Sequence, residues 1–221
     1  MHTIVPIAHF KSPFKEKFGI PRQAGLVEEL EGEIVFEPEY NSPDALKGLE
    51  GFDYVWLIWG FDRNKASEHF QATVRPPRLG GNDNIGVFAS RSPFRPNGLG
   101  LSSVKIAKIS EGRIMVKGAD LADGTPIYDI KPYVTYADSH PEARSGFVDK
   151  SGWASLEVVL PEDIEDFFKG SDIPALKKVL SLDPRPRYQD DSDKEYGMAF
   201  AGKDVHFKVA GSILTVTKII R

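Results

Sequence analysis

Apolar and polar positions in the first two-thirds of the chain fall into short runs punctuated by proline and glycine. Ile4–Ala8, Glu33–Phe36, Tyr54–Phe61, Ile85–Ala89, Leu101–Ile109, Arg113–Lys117 and Ile127–Ile130 are rich in β-branched and aromatic residues, which predicts strands. Pro76-Pro77, Gly80-Gly81, Pro96-Asn97-Gly98 and Asp123-Gly124 mark turns between them. Many short strands without alternating helices predict a mainly β architecture, a closed or nearly closed antiparallel sheet. A short helix is expected at Ser42–Leu46, with Ser42 as cap and Pro43 at the first helical position.

The texture changes after Ala137. Ser139–Ser151 is small and polar, suited to a linker. Ser155–Leu160 predicts a strand, and Pro161–Lys169, opening on proline and acids, predicts a helix. Apolar residues at 173, 176, 179 and 180 predict a second, amphipathic helix. Two prolines force Asp183–Tyr188 to be extended. Val205–Ala210 and Ile213–Ile219, alternating around Gly211, predict a closing hairpin. The organisation expected is a barrel domain over 1–140 and a small α+β C-terminal appendage over 141–221.

Composition narrows the chemistry. The 221 residues contain no cysteine, which excludes disulfides, zinc-thiolate sites and thiol nucleophiles and suits a reducing cytoplasm. Neither a secretory signal at Met1–Ile4 nor a membrane-spanning apolar run is expected. Five histidines show no close pairing, so no metal site is expected, and there is no phosphate-binding glycine loop. Net charge is −4, yet between Gln71 and Lys108 six basic residues face one acid, Asp83. Such a local basic face suits a selective polyanion binder or an ordinary solvated surface.

Three segments carry dense chemistry. Ser12–Gly25 is a proline- and glycine-braced loop that exposes backbone groups beside Arg22 and Gln23. Thr73–Gly81 and Gly86–Gly100 present arginines on rigid, proline-rich backbone beside Phe94, an arrangement for gripping phosphates and stacking bases. Asp120–Tyr133, extending to Asp138, alternates so that Ile127, Asp129 and Lys131 share one face of a strand. That carboxylate and amine form either a structural ion pair or an acid–base set. Lys11-Ser12-Pro13-Phe14-Lys15 is echoed by Arg91-Ser92-Pro93-Phe94-Arg95, which we treat as coincidence.

In order and spacing, Ser12–Gly25, Thr73–Gly81, Arg91–Gly100 and Asp120–Tyr133 closely resemble the TsaA-like (YaeB-like) family, and Asp183–Tyr188 resembles the C-terminal region of its bacterial branch. The resemblance implies a single-sheeted β-barrel that binds S-adenosyl-L-methionine and works as a homodimer. In the family's tRNA methyltransferase O branch it further implies methylation of N6 of threonylcarbamoyladenosine at position 37, in the anticodon stem-loop of tRNA. Carried over, the cofactor residues are Gln23, Ala24, Gly25, Asp62, Arg63, Arg91, Leu101, Leu121, Ala122, Asp123 and Gly124. Two positions depart from the family pattern, Ala24 and Gly98, where the family has proline.

The urea-like N6 attacks well only as its proton leaves, so a positioned base is expected. Asp129 is the first candidate and Asp138 the second, with Tyr133 beside them. Arg75, Arg78, Arg95, Lys131 and Arg187 are the candidates for holding tRNA phosphates. The alternatives are a non-catalytic RNA- or nucleotide-binding barrel and a methyltransferase for a small acceptor.

Overall fold

A computed structural model describes residues 3–64, 69–76, 83–150, 155–185 and 192–221. Arg78 and Arg187 lie outside the described residues, as does part of the expected extended stretch at 183–188. In chain order the first strands are β1 (Ala8–Lys11), β2 (Glu31–Phe36), β3 (Tyr54–Gly60) and the two-residue β4 (Thr73–Val74) and β5 (Ile85–Gly86). They are followed by β6 (Leu99–Ser110), β7 (Arg113–Lys117), β8 (Pro126–Pro132) and the single turn α1 (Thr135–Asp138).

Six of these strands close on themselves in the order β1-β2-β7-β6-β3-β8, with β1 pairing β2 on one side and β8 on the other. Every pair is antiparallel. Closure leaves no exposed edge to recruit another chain. Alternation turns Phe10, Ile34, Val55, Leu57, Val104 and Ile114 into the barrel core.

The second part contains β9 (Glu157–Val159), α2 (Asp172–Ser181), β10 (Tyr196–Phe200), β11 (Lys203–Ala210) and β12 (Ile213–Ile220). Its sheet runs β10-β11-β12-β9, with β9 parallel to β12. The apolar stripe of α2, Leu176, Val179 and Leu180, packs in one core with Met198, Phe207 and Leu214. Phe14, Val27 and Leu30, from the long loop between β1 and β2, belong to that second core. The loop lies so close to β10 that a Cβ on Gly19 would fall 2.1 Å from the Met198 sulfur, and Gly19 has φ +91°. Among the described residues, no helix is long and apolar enough to cross a membrane.

Several elements differ from expectation. The first strand begins at Ala8, where the expected one ended; Ile4 and Val5 are exposed and Pro6 has no N–H for a ladder. Ile85–Ala89 is a two-residue strand followed by a 3-10 turn at Val87–Ala89. Pro43–Leu46 forms a 3-10 turn, and Pro161–Lys169 keeps only the 3-10 turn Ile164–Asp166. That single turn is enough to bury Ile164 and Phe168, so nothing repays nucleating a longer helix.

The alternation expected in β8 is also broken. Asp129 pairs Ile58 but Ile127 pairs Trp59, so the irregularity leaves Tyr128 unmatched. Ile127 is therefore fully buried in the barrel core, against which Ile130 also packs, and does not share the face of Asp129 and Lys131. A bulge of this kind leaves no period in the sequence.

The echoed pentapeptides adopt the same local turn. The Phe14 N–H donates to the Ser12 hydroxyl at 3.2 Å and the Phe94 N–H to the Ser92 hydroxyl at 3.2 Å. One turn aims its ring into a core; the other aims it at solvent, with Phe94 51% exposed. Phe14→Ala is expected to cost about 3–5 kcal/mol in urea unfolding. Phe94→Ala, in the same backbone setting, should stay within about 0.5 kcal/mol.

Candidate active site

Three loops meet at one end of the barrel. The Ser12 N–H donates to the Asp123 carboxylate at 3.1 Å, the Asp123 N–H to Phe14 O at 2.8 Å, and the Gly124 N–H to Phe10 O at 2.7 Å. Gly25 donates to Gly118 O at 2.8 Å, and both take positive φ, +81° and +75°, that side chains rarely adopt. These bonds lay the first loop along the segment 118–124. The third loop joins through Arg91, whose guanidinium donates to the Gln23 side-chain oxygen. Arg63 donates to the backbone oxygens of both Lys15 and Asp123, pinning the corner.

Between the loops lies a cleft of about 550 Å³, within the range of small-molecule sites. Trp56, Trp59 and Phe61 supply aromatic walls, with Trp59 and Phe61 edge-to-face at 4.4 Å between centroids. Trp59 lies across Gly100, where a Cβ would fall 2.3 Å from the indole; any side chain there displaces the ring. The Trp59 indole N–H donates to the Ser102 hydroxyl at 3.0 Å, and that hydroxyl donates to the Asp120 carboxylate at 2.6 Å.

Asp120 is enclosed except toward the cleft, and burial pushes its carboxyl above the ordinary range. The Ser102 hydroxyl, the N–H groups of Asp120 and Ala24, and the Arg91 charge oppose that rise without cancelling it. A carboxylate with aromatic faces around it suits a ligand bearing positive charge. Among the described residues, no group of three or more His, Asp or Glu is placed to hold a metal ion.

Of the residues expected to hold a cofactor, Gln23, Asp62, Arg63, Arg91, Leu101 and Ala122 line the cleft. Ala24, Gly25, Asp123 and Gly124 adjoin it through the loop bonds, whereas the Leu121 side chain is buried in the barrel core. Sequence reasoning passed over Trp56, Trp59, Phe61, Ser102, Asp120 and Thr125. Asp120 opened one of the three dense segments, but its enclosure depends on Ser102, 18 positions earlier.

The residues expected to catalyse lie along the outer face beside the cleft. Asp129, Ile58 and the cleft residue Leu101 stand in one row across β8, β3 and β6; Lys131, Trp56 and Ser103 form the next. Asp129 pairs with Lys131 at 2.9 Å, both well exposed. Asp138 accepts the Val134 N–H at 2.8 Å and the Trp56 indole N–H at 3.0 Å, which hold its carboxyl below the ordinary range. Tyr133 packs against Trp56 at 5.7 Å between centroids.

Of the expected phosphate contacts, Arg75 is exposed and donates to the Asn84 side chain at 3.3 Å. Arg95 instead binds the backbone oxygens of Val87 and Ser90 at 3.2 and 2.7 Å, bracing its own loop.

Comparison with known proteins decides the family. Residues 9–139 match the model described as the tRNA-methyltransferase O N-terminal domain, and 157–221 match the TrmO C-terminal domain. The chain belongs to the tRNA-methyltransferase O family. It is similar to the Escherichia coli tRNA (adenine(37)-N6)-methyltransferase, 38% identical over 92% of this chain and 91% of that one. A Pseudomonas aeruginosa protein named putative S-adenosylmethionine-dependent methyltransferase RcsF is 49% identical over 67% of this chain, a match that spans 61% of that relative. A crystal structure of TrmO superposes with a TM-score of 0.82 at 31% identity, covering all of both chains.

Both departures from the tRNA-methyltransferase O pattern have structural consequences. Ala24 keeps an N–H that stabilises the Asp120 charge, which proline at that position would lack. Gly98 has φ +56°, closed to proline, and its N–H donates to Arg95 O at 3.1 Å.

An Asp carboxyl raised on folding binds its proton more tightly in the native state, so its contribution to stability is lost as pH rises through the raised value. Asp120→Asn keeps an acceptor oxygen but cannot ionise. Without cofactor, the variant should gain on the natural protein in thermal unfolding as pH rises from the ordinary carboxylate range to neutrality. The gain is about 1.4 kcal/mol for each unit by which the carboxyl is raised.

Proposed function

We propose that this chain methylates N6 of threonylcarbamoyladenosine at position 37 of tRNA, using S-adenosyl-L-methionine. The observation that carries this reading is an aromatic cleft with an enclosed carboxylate, set beside an arginine-bearing loop, in a member of the tRNA-methyltransferase O family. S-adenosyl-L-methionine, when bound, supplies a methyl group on a positively charged sulfonium. The donor set fits: Trp59 and Phe61 offer ring faces, Asp120 offers the counter-charge, and Gln23 and Arg91 close one side. Asp62 and Ala122 complete the walls.

Displacement at a methyl group requires nucleophile and carbon to be held about 3–3.5 Å apart. The rigid floor built from Trp59, Ser102 and Asp120 serves that need. Asp129, on the outer row that leads to Leu101, accepts the N6 proton from a nucleotide entering over that face. Asp138 and Tyr133 act through Trp56, fixing the wall against which the nucleotide rests. Arg75, with Arg78, Arg95, Lys131 and Arg187, supplies the positive field for the phosphates of the anticodon stem-loop. The protein works as a homodimer in the cytoplasm, in keeping with its family resemblance and its lack of cysteine.

Incubating tRNA with the protein and methyl-labelled cofactor, then analysing nucleosides by mass spectrometry, should place the label on N6 of the position-37 nucleoside. Label elsewhere, or cofactor consumption without tRNA, would refute the reading. Asp129→Asn should lower turnover about 10²–10⁴-fold at saturating cofactor while leaving cofactor affinity intact. Near-normal turnover would remove Asp129 from the proton path.

A further inference from the structure

Next to the cofactor cleft lies a second hollow of about 470 Å³, which shares Phe61, Asp62, Asn64, Pro93 and Arg95 with it. Phe70 and Phe94 line this hollow. Phe70, Phe88 and Phe94 are 62%, 70% and 51% exposed, on a residue type that folding normally buries. We propose that these three rings form a stacking shelf for an unpaired base that flanks the methylated nucleotide, a role resting on the tRNA reading above.

The shelf is built, not merely left over. Phe70 and Phe88 lie stacked, centroids 6.0 Å apart and planes inclined by 26°. The Arg95 guanidinium sits 5.8 Å from the Phe88 centroid, and its bonds to Val87 O and Ser90 O fix it there. Phe88 itself stands on a 3-10 turn locked by the Ser90 hydroxyl, which donates to Val87 O at 2.8 Å. Phe94 projects from the Ser-Pro-Phe turn that, at Phe14, delivers its ring into a core. The backbone device is the same, so the exposure of Phe94 reflects what surrounds the turn.

Charge and position select RNA as the occupant. Arg95 sits against the Phe88 ring, and the stretch from Gln71 to Lys108 that carries Phe88 and Phe94 holds six basic residues against one acid, Asp83, which suits a polyanion. The hollow adjoins the cofactor cleft, at whose edge the target nucleotide must lie, so one strand can reach both. Unpaired bases stack on aromatic faces whatever their identity, and each such contact is worth about 1–3 kcal/mol, or roughly 5- to 150-fold in affinity.

The test uses anticodon stem-loop RNAs that carry threonylcarbamoyladenosine at position 37 and 2-aminopurine on either side of it. Binding to the natural protein should quench at least one probe. Phe70→Ala and Phe88→Ala should each relieve that quenching and weaken RNA binding about tenfold. The salt slope and the affinity for S-adenosyl-L-methionine should not change. Phe88→Tyr, which keeps a ring, should retain both quenching and affinity.

Unchanged quenching and affinity in the alanine variants overturn the shelf while leaving tRNA methylation standing. So does weakened binding accompanied by a drop in sedimenting mass, which makes the rings a contact between subunits. If the natural protein neither binds nor methylates the RNA, both readings fall together.

Discussion

An enclosed carboxylate must be answered by its surroundings, and around Asp120 that requirement organises the whole site. The Ser102 hydroxyl can donate to Asp120 because it takes its own proton-bearing partner from the Trp59 indole, and the indole can reach because Gly100 leaves room beneath it. Ala24 approaches from the other side on a loop held down by the Gly25–Gly118 bond. Two strands, β3 and β6, and two loops therefore converge on one oxygen pair. The carboxyl remains raised even so, which means these partners do not fully satisfy it. A positively charged ligand in the cleft, as proposed above for S-adenosyl-L-methionine, would supply the remainder.

The loop between β1 and β2 gives the second sheet a part in this arrangement. One side of the loop contributes Gln23 to the cleft, while the other buries Phe14, Val27 and Leu30 among α2 and the C-terminal strands. The Ala201 N–H bonds Pro13 O at 2.9 Å, closing the same contact through the backbone. The C-terminal sheet is thus a support for the cofactor side of the cleft. Among the described residues, the basic loop contributes nothing to that core and is instead braced internally by Arg95 and its serine-capped turns.

Period-two alternation and turn residues made the barrel legible from sequence, and the four motif segments in order carried the family. The strand positions of Tyr54–Gly60 and Arg113–Lys117 were nearly direct readings of their apolar runs. What escaped had no local signature. The irregularity at Tyr128 is set by pairing with β3, so it redirected Ile127 without any mark in β8 itself. Tyr196–Phe200 hides its alternation behind glycine and alanine, and was not anticipated as a strand. Asp120 looked like one acid among many because its enclosure comes from residues on other strands. Arg95 looked like a free cation because its partners are backbone oxygens, which sequence does not display.

The sulfonium of S-adenosyl-L-methionine is the one charge that S-adenosylhomocysteine lacks, so comparing their affinities by calorimetry isolates the interaction assigned to Asp120. The natural protein should bind the sulfonium form about tenfold tighter relative to Asp120→Asn, a coupling of about 1.4 kcal/mol, with the thioether form little affected by the substitution. Equal losses for both ligands, or no loss for either, would contradict an enclosed carboxylate as the charge on which this site is built.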